Sequence, residues 1–211
     1  MALELHHVFI LVDPDAEVAD RLVSIGMDEA KPNTHSVQGS ANRRFFFSNG
    51  ALELLYIHDE EEANSGPGRN MQLLNRANNS INSPFGVILS RKNNSIIDMP
   101  FEGWTYKPDY FDTWSFHIGD NLLTEPLCIY MPFIDPGTLD KKTEGGAFKS
   151  ISQVNVQAPM SELSSVLKIV NAADRINISP GEQHLMEIVF DNQQSDKMKD
   201  FRPHIPLIVY W

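Results

Sequence analysis

Two runs of alternating residues meet at Asn49-Gly50 and predict a β-hairpin over residues 42–57. The pair is typical of a type I′ turn, since both central residues of such a turn need a positive φ. A two-residue loop at this point sets the register, so that Phe46 faces Glu53 across the two strands. Residues that face each other share one side of the sheet, and the alternation therefore assigns every side chain of the hairpin to one of two faces.

The two faces predicted for this hairpin differ in chemistry. One face is apolar and suits packing beneath a helix, with Phe45, Phe47, Leu52, Leu54 and Tyr56. The other face mixes polar and apolar side chains, with Asn42, Arg44, Phe46, Glu53 and Leu55. A few polar side chains within an apolar surface are typical of the lining of a ligand pocket, so this second face predicts a cleft.

Composition narrows the class of protein. The 211 residues suffice for one large domain or two small fused modules. A formal net charge of -11 argues against non-specific nucleic-acid binding, which needs clustered Lys and Arg. Cys128 is the only cysteine, which excludes a disulfide framework and a thiolate metal site. The N-terminus has no signal-peptide pattern and no apolar run is long enough to cross a bilayer, so we expect a cytoplasmic protein without membrane contact.

The first part of the chain is predicted to form a strand–helix–strand–strand–strand unit, written βαβββ. Within residues 1–62, an alternating strand over 5–12 is followed by a helix that begins at Asp13-Pro14 and ends near Gly26. The three remaining strands include both strands of the hairpin.

Later parts of the chain contain two further candidates for such a unit. Residues 150–211 are predicted to form a C-terminal βαβββ module, because 153–159 resembles 7–14 with one loop residue removed. Residues 63–149 are predicted to connect the two modules with a helix and four strand-like segments. Those strands also fit a degenerate module whose helix has shrunk to 94–98. The pattern leaves open which later unit pairs with the first.

Tandem βαβββ units, with His7 opening the first strand and Glu53 within Leu-Glu-Leu on the fourth, resemble the vicinal oxygen chelate superfamily. Within it, the string over 35–42, in which His35 and a Gly-Ser-Ala-Asn run precede the third strand, resembles the glyoxalase-like domain group. The resemblance implies an α+β fold of the glyoxalase/bleomycin resistance/dioxygenase type, in which tandem βαβββ modules form an incomplete barrel around a cleft. It also implies a small-molecule ligand.

The resemblance further implies a candidate metal site. In metal-using members each module contributes a ligand from its first strand and a Glu from its last, and His7 and Glu53 match these positions. Gln153 falls at the place of His7 in the C-terminal module, with Glu187 as the candidate for the fourth ligand. A divalent ion such as Zn, Mn, Ni or Fe would suit nitrogen and oxygen donors of this kind. If the middle segment is the true partner, its first strand offers no ligand over 85–87.

Polar residues near these positions are candidate substrate contacts. Arg44 offers a planar fork for a carboxylate or a phosphate, and Asn42 both donates and accepts hydrogen bonds. His35 lies just before the same strand. Gln153 and Asn155 alternate with valines and present amides on one face of a second predicted sheet. The alternative for these two residues is that they face solvent on a half-exposed strand.

Two classes of function follow from these patterns. The first is a metal-free protein that holds a small polar organic molecule in the cleft. The second is a divalent-metal-dependent lyase, isomerase or dioxygenase, in which the metal stabilises an enediolate or enolate and Glu53 is the candidate catalytic residue. Arg44 shares a face with Glu53 and favours the first class, because a cationic side chain competes with a metal for the carboxylate. The substrate is left open, as is the oligomeric state, a homodimer included.

Overall fold

The computed structural model of the chain describes residues 3–93, 99–108, 113–134 and 147–211. The strands are β1 (Leu3–Leu11), β2 (Glu29–His35), β3 (Ser40–Phe47), β4 (Gly50–Ile57), β5 (Phe85–Arg91), β6 (Gly103–Tyr106), β7 (Phe116–Gly119), β8 (Leu127–Tyr130), β9 (Ile151–Pro159), β10 (Ile176–Gly181), β11 (Leu185–Phe190), β12 (Met198–Asp200) and β13 (Leu207–Tyr210). The α-helices are α1 (Ala19–Ser24), α2 (Glu60–Ser65), α3 (Leu73–Asn78) and α4 (Ser165–Val170). The helix predicted over 94–98 lies outside the described residues. No helix within the described ranges has the length and apolar character needed to cross a membrane.

An open sheet of eight strands, in the order β2-β3-β4-β1-β5-β8-β7-β6, forms the first layer of the fold. In its first half β1 is parallel to β4, and in its second half β5 is parallel to β8. The two halves join where β1 pairs with β5 in the antiparallel sense. The sheet does not close on itself, and the predicted α+β class with an incomplete barrel is confirmed.

The second layer is a sheet of five strands in the order β10-β9-β11-β13-β12. The sequence predicts that residues 150–211 repeat the first module, but the strand pairing there is different. The first strand of this segment, β9, is parallel to the next strand, β10, whereas β1 is parallel to the last strand of its unit. The strands of the middle segment follow the order of the first unit. The middle segment therefore supplies the second half of the open barrel.

The main core lies between the two layers and depends on a bulge in β1. The pairing of β1 with β5 shifts between Leu5 and His7, which leaves His6 as an extra residue on β1. Leu5 and Val8 consequently both point into the core between the sheets. His7 and Phe9 point to the opposite, inner face of the first sheet. From His7 onward, the side chains of β1 alternate between the two faces as predicted. The bulge determines which face each of them occupies.

The C-terminal segment covers the outer face of the second half of the first sheet. Its helix α4 packs against β8, and Val166 and Leu167 of α4 belong to the same core as Cys128 of β8. Burial raises the pKa of the Cys128 thiol to about 12. This cysteine is therefore a small buried core side chain.

The hairpin of β3 and β4 is present, but its turn differs from the predicted one. Phe47 pairs with Gly50, so the loop consists of Ser48 and Asn49. None of Ser48, Asn49 and Gly50 has a positive φ. The predicted type I′ turn at Asn49-Gly50 is therefore wrong.

The register of the hairpin changes with its turn. Arg44, and not Phe46, is the residue that faces Glu53. The shift is by an even number of residues, and an even shift leaves every side chain on its predicted face. Phe45 and Leu52 are fully buried in the core between the layers, as expected for the apolar face.

Contacts with the second layer explain the position of the turn. The side chain of Asn49 forms two hydrogen bonds with the backbone of Ile151 at the start of β9, one from Nδ2 to the carbonyl oxygen and one to Oδ1 from the N–H, both at 2.8 Å. The guanidinium of Arg175 donates to the carbonyl oxygens of Asn49 and Leu5, at 2.7 and 2.6 Å. The turn is thus a junction between the layers, and these contacts override its local preference.

We expect Asn49→Ala to lower the free energy of unfolding by about 2–3 kcal/mol, because it leaves the N–H and the carbonyl of Ile151 without their partners. Urea denaturation followed by circular dichroism measures this change. Asn78→Ala, at an exposed position at the end of α3, is the matched control and should stay within about 0.5 kcal/mol of the parent. Equal effects of the two substitutions would contradict the role of Asn49 as a junction.

Candidate functional site

The inner face of the eight-stranded sheet borders a chamber. Most of its lining is apolar or aromatic: Phe9, Leu55, Met71, Leu73, Ile88, Tyr106, Phe116, Ile118, Ile129 and Met131. Four polar side chains also line it, namely His7, His35, Gln38 and Glu53. All four come from the first half of the sheet, so the chamber has one polar side.

A second space, the vestibule, adjoins the chamber. The chamber and the vestibule share His7, His35, Glu53 and Phe116. The remaining lining of the vestibule is largely polar and comes from β2, β3 and the turn between them: Asn33, Thr34, Ser36 and Arg44. The two histidines and the carboxylate therefore stand at the boundary between an apolar chamber and a polar entrance.

His7 owes its orientation to the bulge in β1. Its Nδ1 lies 2.7 Å from Nδ1 of His6, so one of the two rings donates and the other accepts. Burial lowers the pKa of each of these histidines to about 3, and their mutual repulsion adds to the effect at His6. Both rings are neutral at pH 7. Because Nδ1 of His7 is occupied by His6, Nε2 is the nitrogen left for a ligand.

His35, the last residue of β2, is the second imidazole of the cleft. Its Nδ1 lies 3.2 Å from Oγ of Ser40, which also accepts a hydrogen bond from Nε2 of Gln38 at 2.8 Å. Burial lowers the pKa of His35, and the negative charge of Glu53 acts in the opposite direction. The Ser40 hydroxyl thus links two polar residues of the chamber wall.

Glu62 on α2 holds the turn that follows His35. Its carboxylate accepts hydrogen bonds from the N–H groups of Val37 and Gly39, at 2.7 and 2.8 Å. Asp59 caps α2 by accepting from the N–H of Glu62. Glu62 is a support of the site that the sequence analysis missed. The signal was an N-cap Asp three residues before a Glu, which marks the start of a helix.

Glu53, in the middle of β4, is a partly buried carboxylate with weak polar support. No ion pair within 4.0 Å joins it to any described residue. Burial raises its pKa, while His35, the amide of Asn42 and the charge of Arg44 act to lower it by less. Asn42 is fully buried beside it and accepts from the N–H of Asn33 at 3.0 Å, and within the described chain its Nδ2 has no hydrogen bond of normal geometry.

Arg44 faces Glu53 across the hairpin but turns its guanidinium elsewhere. Nε donates to the carbonyl oxygen of Lys31 at 2.7 Å, and the guanidinium carbon lies 5.1 Å from the centroid of the Phe46 ring. Arg44 therefore lines the vestibule and leaves the carboxylate of Glu53 without a direct cationic partner in the described residues.

Gln153 and Asn155 lie on β9, in the second layer, and neither lines the chamber or the vestibule. The Gln153 amide donates to a backbone carbonyl of its own strand at 3.3 Å. Asn155 pairs with Glu187 of β11 in the same sheet. The structure brings His7, His35, Asn42, Arg44 and Glu53 together and does not bring these β9 residues to them, because β9 belongs to the sheet behind the core.

The donors around the chamber do not fit the metal site that the family resemblance implies. The second half of the barrel presents Ile88 on β5 and Ile129 on β8 to the chamber, and both are apolar. His7 and Glu53 thus have no counterparts there. Across the ranges that the structure describes, no three His, Cys, Asp or Glu side chains form a group that could hold a metal ion.

The apolar wall of the chamber was not predicted from the sequence. The ring of Phe9 covers Gly86 on the neighbouring strand, where any Cβ would collide with it. Alternation over 127–131 assigns Ile129 to one face of β8. Only the pairing of β5 with β8 shows that this face is the inner one.

Solved structures that resemble this chain in fold include the following two. A hypothetical protein from Staphylococcus aureus has a TM-score of 0.61 at 13% identity, with 99% of this chain and 98% of that chain covered. A triple mutant of 4-hydroxymandelate synthase from Streptomyces coelicolor has a TM-score of 0.50 at 14% identity, with 99% of this chain and 62% of that chain covered. At these identities the likeness concerns the fold alone, and it agrees with the predicted glyoxalase/dioxygenase-type fold. The sequence matches no protein-family model and no curated protein.

We expect Ile88→His to create a metal-binding cleft, because Ile88 pairs with His7 across β1 and β5 and both line the chamber. At 100 times the dissociation constant, Zn or Ni should then raise the free energy of unfolding by about 2.7 kcal/mol. Thermal denaturation with and without metal measures this effect. Ile88→Leu is the control and should behave as the parent does. A parent protein that gains as much from metal as Ile88→His would show that the donor set is already complete.

Proposed function

We propose that this protein is a glyoxalase-like binding protein that holds a small organic molecule in the cleft of its open barrel without a metal ion. The polar part of the ligand would lie at His7, His35 and Glu53, and its apolar part in the chamber. An enzyme without a metal would use the same arrangement, with Glu53 as the group that accepts a proton from the ligand.

This proposal rests on the environment of the Glu53 carboxylate. A carboxylate removed from water without an ion-pair partner destabilises the folded protein, and Glu53 is such a group within the described chain. Groups with perturbed pKa values in a cavity are frequent at functional sites. A ligand that donates a hydrogen bond to Glu53 would supply the missing partner.

The neutral histidines support the same proposal. A neutral imidazole offers one donor and one acceptor, and His7 and His35 each have one ring nitrogen engaged within the protein. The second nitrogen of each ring is left to contact a polar group of the ligand. The large apolar wall opposite would bind the rest of the molecule through the hydrophobic effect.

A thermal-shift screen of small organic molecules tests the proposal. Ile129 lines the chamber, and Ile129→Trp should fill it and abolish the rise in Tm for every compound that stabilises the parent. Ile129→Leu, which conserves the volume, should keep those rises. If Ile129→Trp binds the same compounds as the parent, or if no compound raises the Tm, the ligand site is not this chamber.

We expect Glu53→Gln to stabilise the empty protein at neutral pH. The pKa of Glu53 is raised above 4.5 in the folded state, so the parent loses stability as the pH rises through the unfolded pKa towards the folded one. The neutral Gln has no such loss, and its advantage should be larger above the folded pKa of Glu53 than below the unfolded one. Urea denaturation at several pH values measures it.

The same substitution should weaken ligand binding, because Gln cannot accept as strong a hydrogen bond as a carboxylate. Glu162→Gln, at an exposed position, is the control and should change neither property. A Glu53→Gln variant that is less stable than the parent at pH 8 would mean that Glu53 has a stabilising partner in the empty protein.

A further inference from the structure

We propose that the cleft is specific for a small carboxylic acid, with the carboxylate on the guanidinium of Arg44 in the vestibule and an apolar body in the chamber. This inference rests on the proposed function and adds the chemical class of the ligand.

The guanidinium of Arg44 is held in place before any ligand binds. The pairing of β2 with β3 is interrupted between Ala30 and Asn33, so Lys31 and Pro32 form a bulge on the edge strand. The Lys31 carbonyl accepts from Nε of Arg44, and the ring of Phe46 lies against the guanidinium plane. A fork that is already oriented loses less conformational entropy when it binds a carboxylate.

The outer edge of this fork is open. Nε is the guanidinium nitrogen of Arg44 that bonds to the described residues, and no carboxylate among them lies within 4.0 Å. The neighbouring residue shows the contrast, since Arg43 on the opposite face bonds to both Glu29 and Asp20 at 2.6–2.7 Å. In an acidic chain, a fixed arginine that has no carboxylate within 4.0 Å among the described residues is suited to one brought by a ligand.

The permanent charge of Arg44 favours an acid over an amine. The guanidinium is charged at every physiological pH. A cationic head group at the fork would therefore be repelled, and a carboxylate would be attracted. A phosphate dianion would bring twice the negative charge against Glu53 and has one arginine to compensate it. A single carboxylate matches the single fork.

The shape of the site places the rest of the molecule. Arg44 lines only the vestibule, and Phe116 lines both spaces. A ligand whose carboxylate lies on Arg44 would pass His7 and Glu53 and end among the apolar side chains of the chamber. Acids with an aromatic or branched aliphatic body two or three bonds from the carboxylate have this form.

Three probes that share one body and differ in the head group test the inference: 3-phenylpropionate, 3-phenylpropanol and 3-phenylpropylamine. By isothermal titration calorimetry at pH 7.5, we expect the acid to bind at least about tenfold more tightly than the alcohol, the range for a charge-assisted hydrogen bond. The amine should bind more weakly than the alcohol. Phenyl phosphate should not displace the acid.

Variants of Arg44 separate recognition of the carboxylate from packing. Arg44→Gln should weaken binding of the acid by about tenfold and leave the affinity for the alcohol unchanged. Arg44→Lys, which keeps the charge and loses the fork, should fall between Arg44→Gln and the parent. Phe46→Leu should weaken binding of the acid, because it removes the ring that holds the guanidinium in place. Arg21→Gln, on the exposed side of α1, is the control and should bind all three probes as the parent does.

The inference is overturned if the amine or the alcohol binds as tightly as the acid, if phenyl phosphate displaces it, or if Arg44→Gln leaves the affinity for the acid unchanged. It is also overturned if none of the three probes binds while other compounds raise the Tm of the parent and fail to do so with Ile129→Trp. In that last case the cleft is still the ligand site, and only the ligand class is wrong.

Discussion

The antiparallel pairing of β1 with β5 determines where the cleft lies and which residues enter it. It joins two four-stranded halves edge to edge, so that the sheet is long enough to border a chamber on one side and pack on the second layer on the other. The bulge in the same pairing brings His6 and His7 into contact and reverses which side chains face the core. Without the extra residue, the strand that carries Leu5 and Val8 would place one of them in the cleft.

The site that results is asymmetric, although the two halves share one strand order. The first half supplies the imidazoles, the amides and the carboxylate, and the second half supplies an apolar and aromatic wall. Such a division suits a ligand with a polar head and an apolar body. It also explains why the donors expected of a metal site are incomplete, since Ile88 and Ile129 stand where the second half would have to contribute.

The stability of the empty protein and the chemistry of the cleft are linked through Glu53. Burial raises the pKa of this partly buried carboxylate, which has no direct cationic partner in the described chain. Hydrogen bonds between the two layers stabilise the fold elsewhere. Examples are those of Asn49 with Ile151 and of Arg175 with two carbonyl groups. The core and its junctions thereby tolerate an unfavourable group that is available to a ligand.

The sequence by itself determined the positions of most strands, the α+β class and the two faces of the hairpin, because side-chain alternation is a local property with a period of two. It therefore placed Asn42, Arg44 and Glu53 on one face of the hairpin. Tertiary structure decided the turn at Ser48-Asn49, which contacts with β9 hold, and the choice of the middle segment as the second half of the barrel. It also excluded Gln153 and Asn155 from the cleft. Strand order and the partner of each sheet face depend on contacts between residues far apart in the chain, and a local pattern carries no information about those contacts.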